Sequence, residues 1–212
     1  MGPMYAPSHR ELQDRFETRP LADRLEQLIV HDVFTEMDQA FIESRDMFFL
    51  STVDPDGRPT VSYKGGAPGF VRIHDNRLTF PCYDGNGMFY SMGNVAATGA
   101  VGLLFIDFEK PIRLRVQGEA RIDDGPATAG WPGALFLVRV TPTHIFMNCG
   151  RYIHPHRKVE QSRHVPDAHG HQPPAEWKRI DAITDCLPGP DRAAADAAGA
   201  ITFGDWLATG EG

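Results

Sequence analysis

The chain has 212 residues, 42% hydrophobic and 23% charged, with a formal net charge of -7. That length suits one domain with an extension and can bury a sizeable core, and the acidic balance argues against general affinity for nucleic acid or an anionic membrane. Cys82, Cys149 and Cys186 form no CxxC pair, so neither a disulfide framework nor a zinc ribbon is indicated. The N-terminus lacks the apolar core of a signal peptide, and no long apolar run occurs, so a reducing, cytoplasmic setting is expected.

In chain order, "SHRE" reads as a helix start with Ser8 capping and Glu11 reaching back. The helix is predicted to about Asp23, with Pro20 either near a break or opening a second segment. Asp32 is the expected cap of a helix over "DVFTEMDQAFIES", where Val33, Met37, Ala40 and Phe41 recur at helical spacing. Met47 to Val53 is the first strand. "DPDG" turns the chain into "PTVSYK", which alternates Val61 and Tyr63 against Thr60, Ser62 and Lys64. "GFVRI" and "RLTFPCY" read as a second hairpin around "HDN". "YDGNGMFYSMGN" follows, read as a turn and then a helix capped by Asn86. "AVGLLFIDF" reads as a strand buried on both faces. "IRLRVQGEARI" alternates, and "ALFLVRVTPTHIFM" is the last long strand, interrupted near Pro142.

The expected fold is α+β, mainly β with helices: a six-stranded antiparallel barrel, closed or partly closed. The gaps are too short for the crossover helices of a parallel sheet. The organisation read from the pattern is a helical extension over 1–44, the barrel over 45–148 and an irregular extension over 149–212. Within the last segment, "AAADAAGA" is expected to fray.

Gly87, Ser91 and Asn94 fall at i, i+4 and i+7, giving one small, polar, uncharged helix face, while Met88, Met92 and Val95 share the face expected to pack on the barrel. A helix start attracts anions, and a phosphate also needs fixed cations. Lys64, just before "GGAPG", and Arg113 are the candidates, with backbone N–H groups around Gly65 and Gly66 approaching the ligand. No GxxxxGK[ST] spacing, GxGxxG fingerprint or GxSxG elbow is present. The histidines of "HPH" and "HVPDAHGH" lie in proline-broken loops without metal-ligand geometry.

Together "VSYK", "GNGMFYSMGN" and "VGLLFIDF…RLRVQG" resemble the pyridoxamine 5′-phosphate oxidase-like family of FMN-binding split β-barrels. The resemblance covers about residues 45 to 147. It implies a homodimer with FMN at the subunit interface and flavin-mediated hydride or electron transfer on an unidentified small molecule. By that resemblance, Ser62, Tyr63, Lys64 and Gly65 line the phosphate and ribityl chain, and Phe80 and Pro81 lie along the isoalloxazine. Asn86, Gly87, Met88, Ser91 and Asn94 complete the phosphate end, with Arg113 reaching the ring. Tyr83, Arg151 and Tyr152 are substrate-side groups. The chain departs from the oxidases themselves: they carry an Arg-Lys pair where it has "GNGMFYSM", and no Arg or Lys lies between Arg77 and Lys110. The thinner cation set leaves a deazaflavin or haem as an alternative ligand, and a binding protein without turnover as an alternative function. Lys178 is read as a rim lysine.

Overall fold

Alternating apolar residues dictate the strands. In the computed structural model, which describes residues 4–209, Phe48, Leu50 and Thr52 point inward from β1 (Met47–Val53) and are fully buried, while the residues between them are half-exposed. The same parity recurs in β5 (Ala100–Asp107), with Val101, Leu103 and Phe105 inward, and in β6 (Ile112–Asp123), with Leu114, Val116 and Ala120 inward. With β2 (Pro59–Gly65), β3 (Arg72–His74), β4 (Arg77–Tyr83) and β7 (Ala134–Asn148), these form one antiparallel sheet in the order β2-β1-β5-β6-β7-β4-β3. Among the described residues seven strands form where six were expected; the shortest, β3, keeps only the end of "GFVRI", because Phe70 and Val71 turn into the core before it begins.

The sheet curls back on itself. β1 and β4 lie four places apart in the hydrogen-bonded order, yet the rings of Phe48 and Phe80 are 5.0 Å apart at 72°, and Phe48 also packs 5.0 Å from Phe105. Such contacts require a barrel with an apolar interior, and the absence of β2–β4 pairing leaves it split along one side. Pro142 does not interrupt β7. It lacks an N–H for the ladder, and β6 accommodates it with a register shift between Gln117 and Gly118. A side chain at Gly118 would run into the Thr141 carbonyl, so only glycine fits there.

Helix α4 (Tyr90–Thr98) covers one end of the barrel and buries Met92 and Val95. Its start corrects the expected cap. Phe89, with φ of 47°, is the N-cap, and Asn86 lies in the preceding turn, where its Oδ1 accepts from Met88 N at 3.1 Å. At the N-terminus, Ala6 rather than Ser8 precedes α1 (Pro7–Arg15), and Pro20 lies in the first turn of a separate α2 (Arg19–Ile29). Thr35, not Asp32, caps α3 (Glu36–Glu43): Thr35 Oγ1 accepts from Asp38 N, and Asp38 Oδ2 accepts from Thr35 N and from His31 Nε2. Ile42 and Asp38 are the buried residues of α3, whereas Val33 and Met37 are exposed.

The chain divides into two compact units, Met1–Gln161 and Ser162–Gly212. The second contains 3₁₀ turns at Glu176–Arg179 and Asp181–Cys186, then α5 (Gly189–Ala198) and α6 (Phe203–Ala208). The segment expected to fray thus forms α5, with Ala195 buried. No helix among the described residues is long and apolar enough to cross a membrane.

Candidate functional site at the barrel mouth

Register decides which side chains of "PTVSYK" meet. Because Lys64 pairs with Phe48 and Ser62 with Leu50, both share the inner face with the core residues. Val61 and Tyr63 therefore point out, and both stay mostly exposed. Near the split, Ser91 of α4 donates from Oγ to Ser62 Oγ at 3.1 Å. Deeper in, Asn94 Nδ2 donates to Thr52 Oγ1 at 3.1 Å, tying α4 to β1. Ser91 and Asn94 are buried together, as their shared helix face anticipates. Gly87 and Met88 lie outside the helix in the turn, where Gly87 takes a positive φ of 73° and Met88 is exposed.

Lys64 faces Cys82 across the split, and the two interact electrostatically. Burial holds the Lys64 pKa below the usual lysine value and pushes the Cys82 thiol up, and the interaction between the two opposes both shifts. No carboxylate pairs with Lys64 among the described residues. The mouth thus combines a half-buried, uncompensated ammonium with hydroxyls from Ser62 and Ser91. Burying a charge without a partner is costly, and an anion at the mouth would relieve that cost. Cys82 belongs to the "FPCY" run that the resemblance lays along the isoalloxazine; its place opposite Lys64 is what the sequence does not show, although its parity with Leu78 and Phe80 marks it as inward.

Other expected members lie elsewhere. Arg113 pairs with Ile106 on the outer face of β6, opposite in parity to Lys64 and three strands away, about 14 Å across the sheet. Among the described residues its Nε is buried without a hydrogen-bond partner beside Asn148, whose Oδ1 is equally unpartnered. Arg113 therefore does not join Lys64 as a second cation. The Phe80 ring is a core ring against Phe48, and Pro81 is buried on the opposite face of β4. Gly66 N donates to the Asp46 carbonyl at 2.9 Å, so this N–H serves the fold. Glycine is required there because the Phe70 ring occupies the place of a Cβ. A Cβ on Gly65 would sit 2.8 Å from the Tyr63 ring. Tyr83 follows a register shift after Cys82; burial raises its pKa, and Arg72, within electrostatic reach, lowers it. Arg151 and Tyr152 are exposed in the turn after β7. Lys178 is no rim lysine: it is buried and pairs with Asp191 at 3.0 Å.

Residues 34–149, which contain the whole barrel, match the family model described as pyridoxamine 5′-phosphate oxidase. The chain belongs to that family. Among solved structures, this family member is similar to a putative pyridoxamine 5′-phosphate oxidase from Lactobacillus delbrueckii, at 23% identity over 55% of this chain and 95% of that one, with a TM-score of 0.44. It is similar to an FMN-binding protein from Syntrophomonas wolfei at 15% identity over 65% and 97%, TM-score 0.39. It is also similar to HutZ, the haem storage protein from Vibrio cholerae, at 17% identity over 54% and 95%, TM-score 0.41. No curated protein matches the chain.

Proposed function

We propose that this member of the pyridoxamine 5′-phosphate oxidase family is a homodimeric, FMN-dependent oxidoreductase acting on a small organic molecule. The observation that carries the reading is Lys64, a half-buried ammonium without a carboxylate partner among the described residues, beside the Ser62 and Ser91 hydroxyls. That donor set fits a phosphate monoester: one cation for charge and two hydroxyls for the remaining oxygens. FMN, when bound, supplies hydride or electron acceptance. Lys64 balances the phosphate charge, Ser62 and Ser91 orient it, and Asn94 acts one layer back by holding α4 on Thr52. Arg151 and Tyr152 are the proposed substrate-side groups.

The proposed interface is the outer face of β2, β1 and β5. Phe49 pairs with Tyr63 on one side and Leu104 on the other, the Phe49 and Tyr63 rings lie 6.1 Å apart, and Val61 adjoins. A contiguous apolar face of this kind marks a contact surface.

The test is reconstitution. Purified protein mixed with FMN and passed through gel filtration should retain flavin absorbance, and the bound flavin should be bleached by NADH or NADPH or by substrate and recover in air. A Soret band in place of flavin bands would assign haem instead. Bound flavin that no donor reduces would leave a binding protein without turnover. Protein that takes up no FMN refutes the reading.

A further inference from the structure

A second cleft lies on the outer face of β3, β4 and β7, away from the barrel mouth. Its volume is about 430 Å³, and it is lined by Glu43, Arg72, Thr79, Trp131 and Arg139 among others. That volume is within the range of small-molecule sites.

Three of these side chains form a row. Arg72 pairs with Thr79 across β3 and β4, and Thr79 with Arg139 across β4 and β7, so all three project from one face at successive strands. Arg72 is held in a fixed orientation. Its guanidinium lies over the Trp131 indole at 4.1 Å, its Nε donates to Gly69 O at 3.2 Å and its Nη2 to Gly130 O at 2.9 Å. The indole is itself fixed, because Trp131 Nε1 donates to Phe70 O at 2.7 Å. Arg139 is oriented by Asp123, whose Oδ2 accepts from its Nε at 2.5 Å.

Donors remain. Among the described residues, no group accepts from Arg72 Nη1 or from either terminal nitrogen of Arg139, and the hydroxyl of Thr79, a residue largely buried between them, has no partner. Two immobilised guanidinium groups flanking a hydroxyl match the oxygens of one oxyanion. Glu43 stands at the edge, but its Oε1 already accepts from Ile73 N and Gln39 Nε2, so it serves the fold.

We propose that this cleft binds the anionic head of a small organic molecule, a phosphate monoester or a carboxylate, between Arg72 and Arg139 over Thr79. The assignment is independent of the flavin reading. Phenyl phosphate and benzoate are the probes, because they present the same ring with different heads. Calorimetric titration should detect one or both, with the better one naming the head group. Binding should change tryptophan fluorescence in the native protein and not in Trp131→Phe. Arg139→Gln, at a half-exposed position, should weaken binding by at least about tenfold while FMN uptake stays unchanged. Absence of heat with both probes up to roughly 10 mM, the weak end of specific affinity, would overturn the proposal. Undiminished binding to Arg139→Gln that is correctly folded by circular dichroism would overturn it as well.

Discussion

Replacing Lys64 by methionine should move ligand affinity and ligand-free stability in opposite directions. The substitution keeps an unbranched stem against Phe48 and removes the ammonium. With Arg113 on the other face of the sheet, Lys64 is the cation that the mouth itself offers a phosphate. A hydrogen bond to a charged group contributes about 1.5–3 kcal/mol. Because this ammonium is half-buried and has no competing carboxylate among the described residues, the upper half of that range applies, which corresponds to roughly a 45- to 160-fold rise in the FMN dissociation constant. Fluorescence titration of FMN at fixed ionic strength measures it, with the exposed Lys110→Ala as the control for net charge. Without ligand the variant should be at least as stable as the native chain, because burial disfavours the charged lysine. The sign follows from linkage: the folded-state pKa of Lys64 lies below its unfolded value, so the unfolded chain binds more protons as pH rises between the two. Native stability therefore increases over that alkaline window, and that of Lys64→Met does not. FMN affinity within about threefold of the native value, less than half of the smallest expected term, would sink the reasoning.

Asn94→Ala should cost about 1–3 kcal/mol in thermal unfolding, because the buried Thr52 hydroxyl loses its donor, and should weaken FMN binding by loosening α4. Val61→Glu, at an exposed site on the outer face, should leave the fold intact and shift the protein from dimer to monomer in gel filtration with light scattering; an unchanged dimer would place the interface elsewhere. Gly118→Ala should reduce soluble yield sharply, because the added Cβ meets the Thr141 carbonyl, a backbone atom that cannot turn aside. Gly93→Ala, where a Cβ meets open space, is its control and should fold normally.

The strands were legible because inward and outward residues alternate locally, and Lys64 was legible because the strand, the glycines after it and the polar helix all bear on one place. Register parity was not. The alternation in "IRLRV" turns Arg113 outward, but Lys64, a polar residue of its own strand, turns inward, so the two face opposite ways. In β2 the usual polarity is reversed, with Ser62 and Lys64 inside and Val61 and Tyr63 outside, which only the pairing with β1 reveals. Phe89 as a left-handed cap follows from how the turn is drawn onto the barrel, and its composition favours Asn86. Thr35 with Asp38 and Thr202 with Asp205 carry the capping-pair spacing in the sequence itself. The row of Arg72, Thr79 and Arg139 depends on β4 pairing with β7, a partner distant in the chain, so no local window shows it.

The strand order has a consequence for how this protein is made. β4 is synthesised before β5 and β6, yet its only long neighbour is β7, and the Phe80 pairing with Val138 has to wait for that last strand. β1 likewise waits for β5. A nascent chain therefore holds Leu78, Phe80 and the open edge of β4 uncovered until the ribosome has passed Asn148, and such edges recruit other chains. Any truncation that ends before β7 should be trapped in aggregates, whatever remains of its cofactor residues.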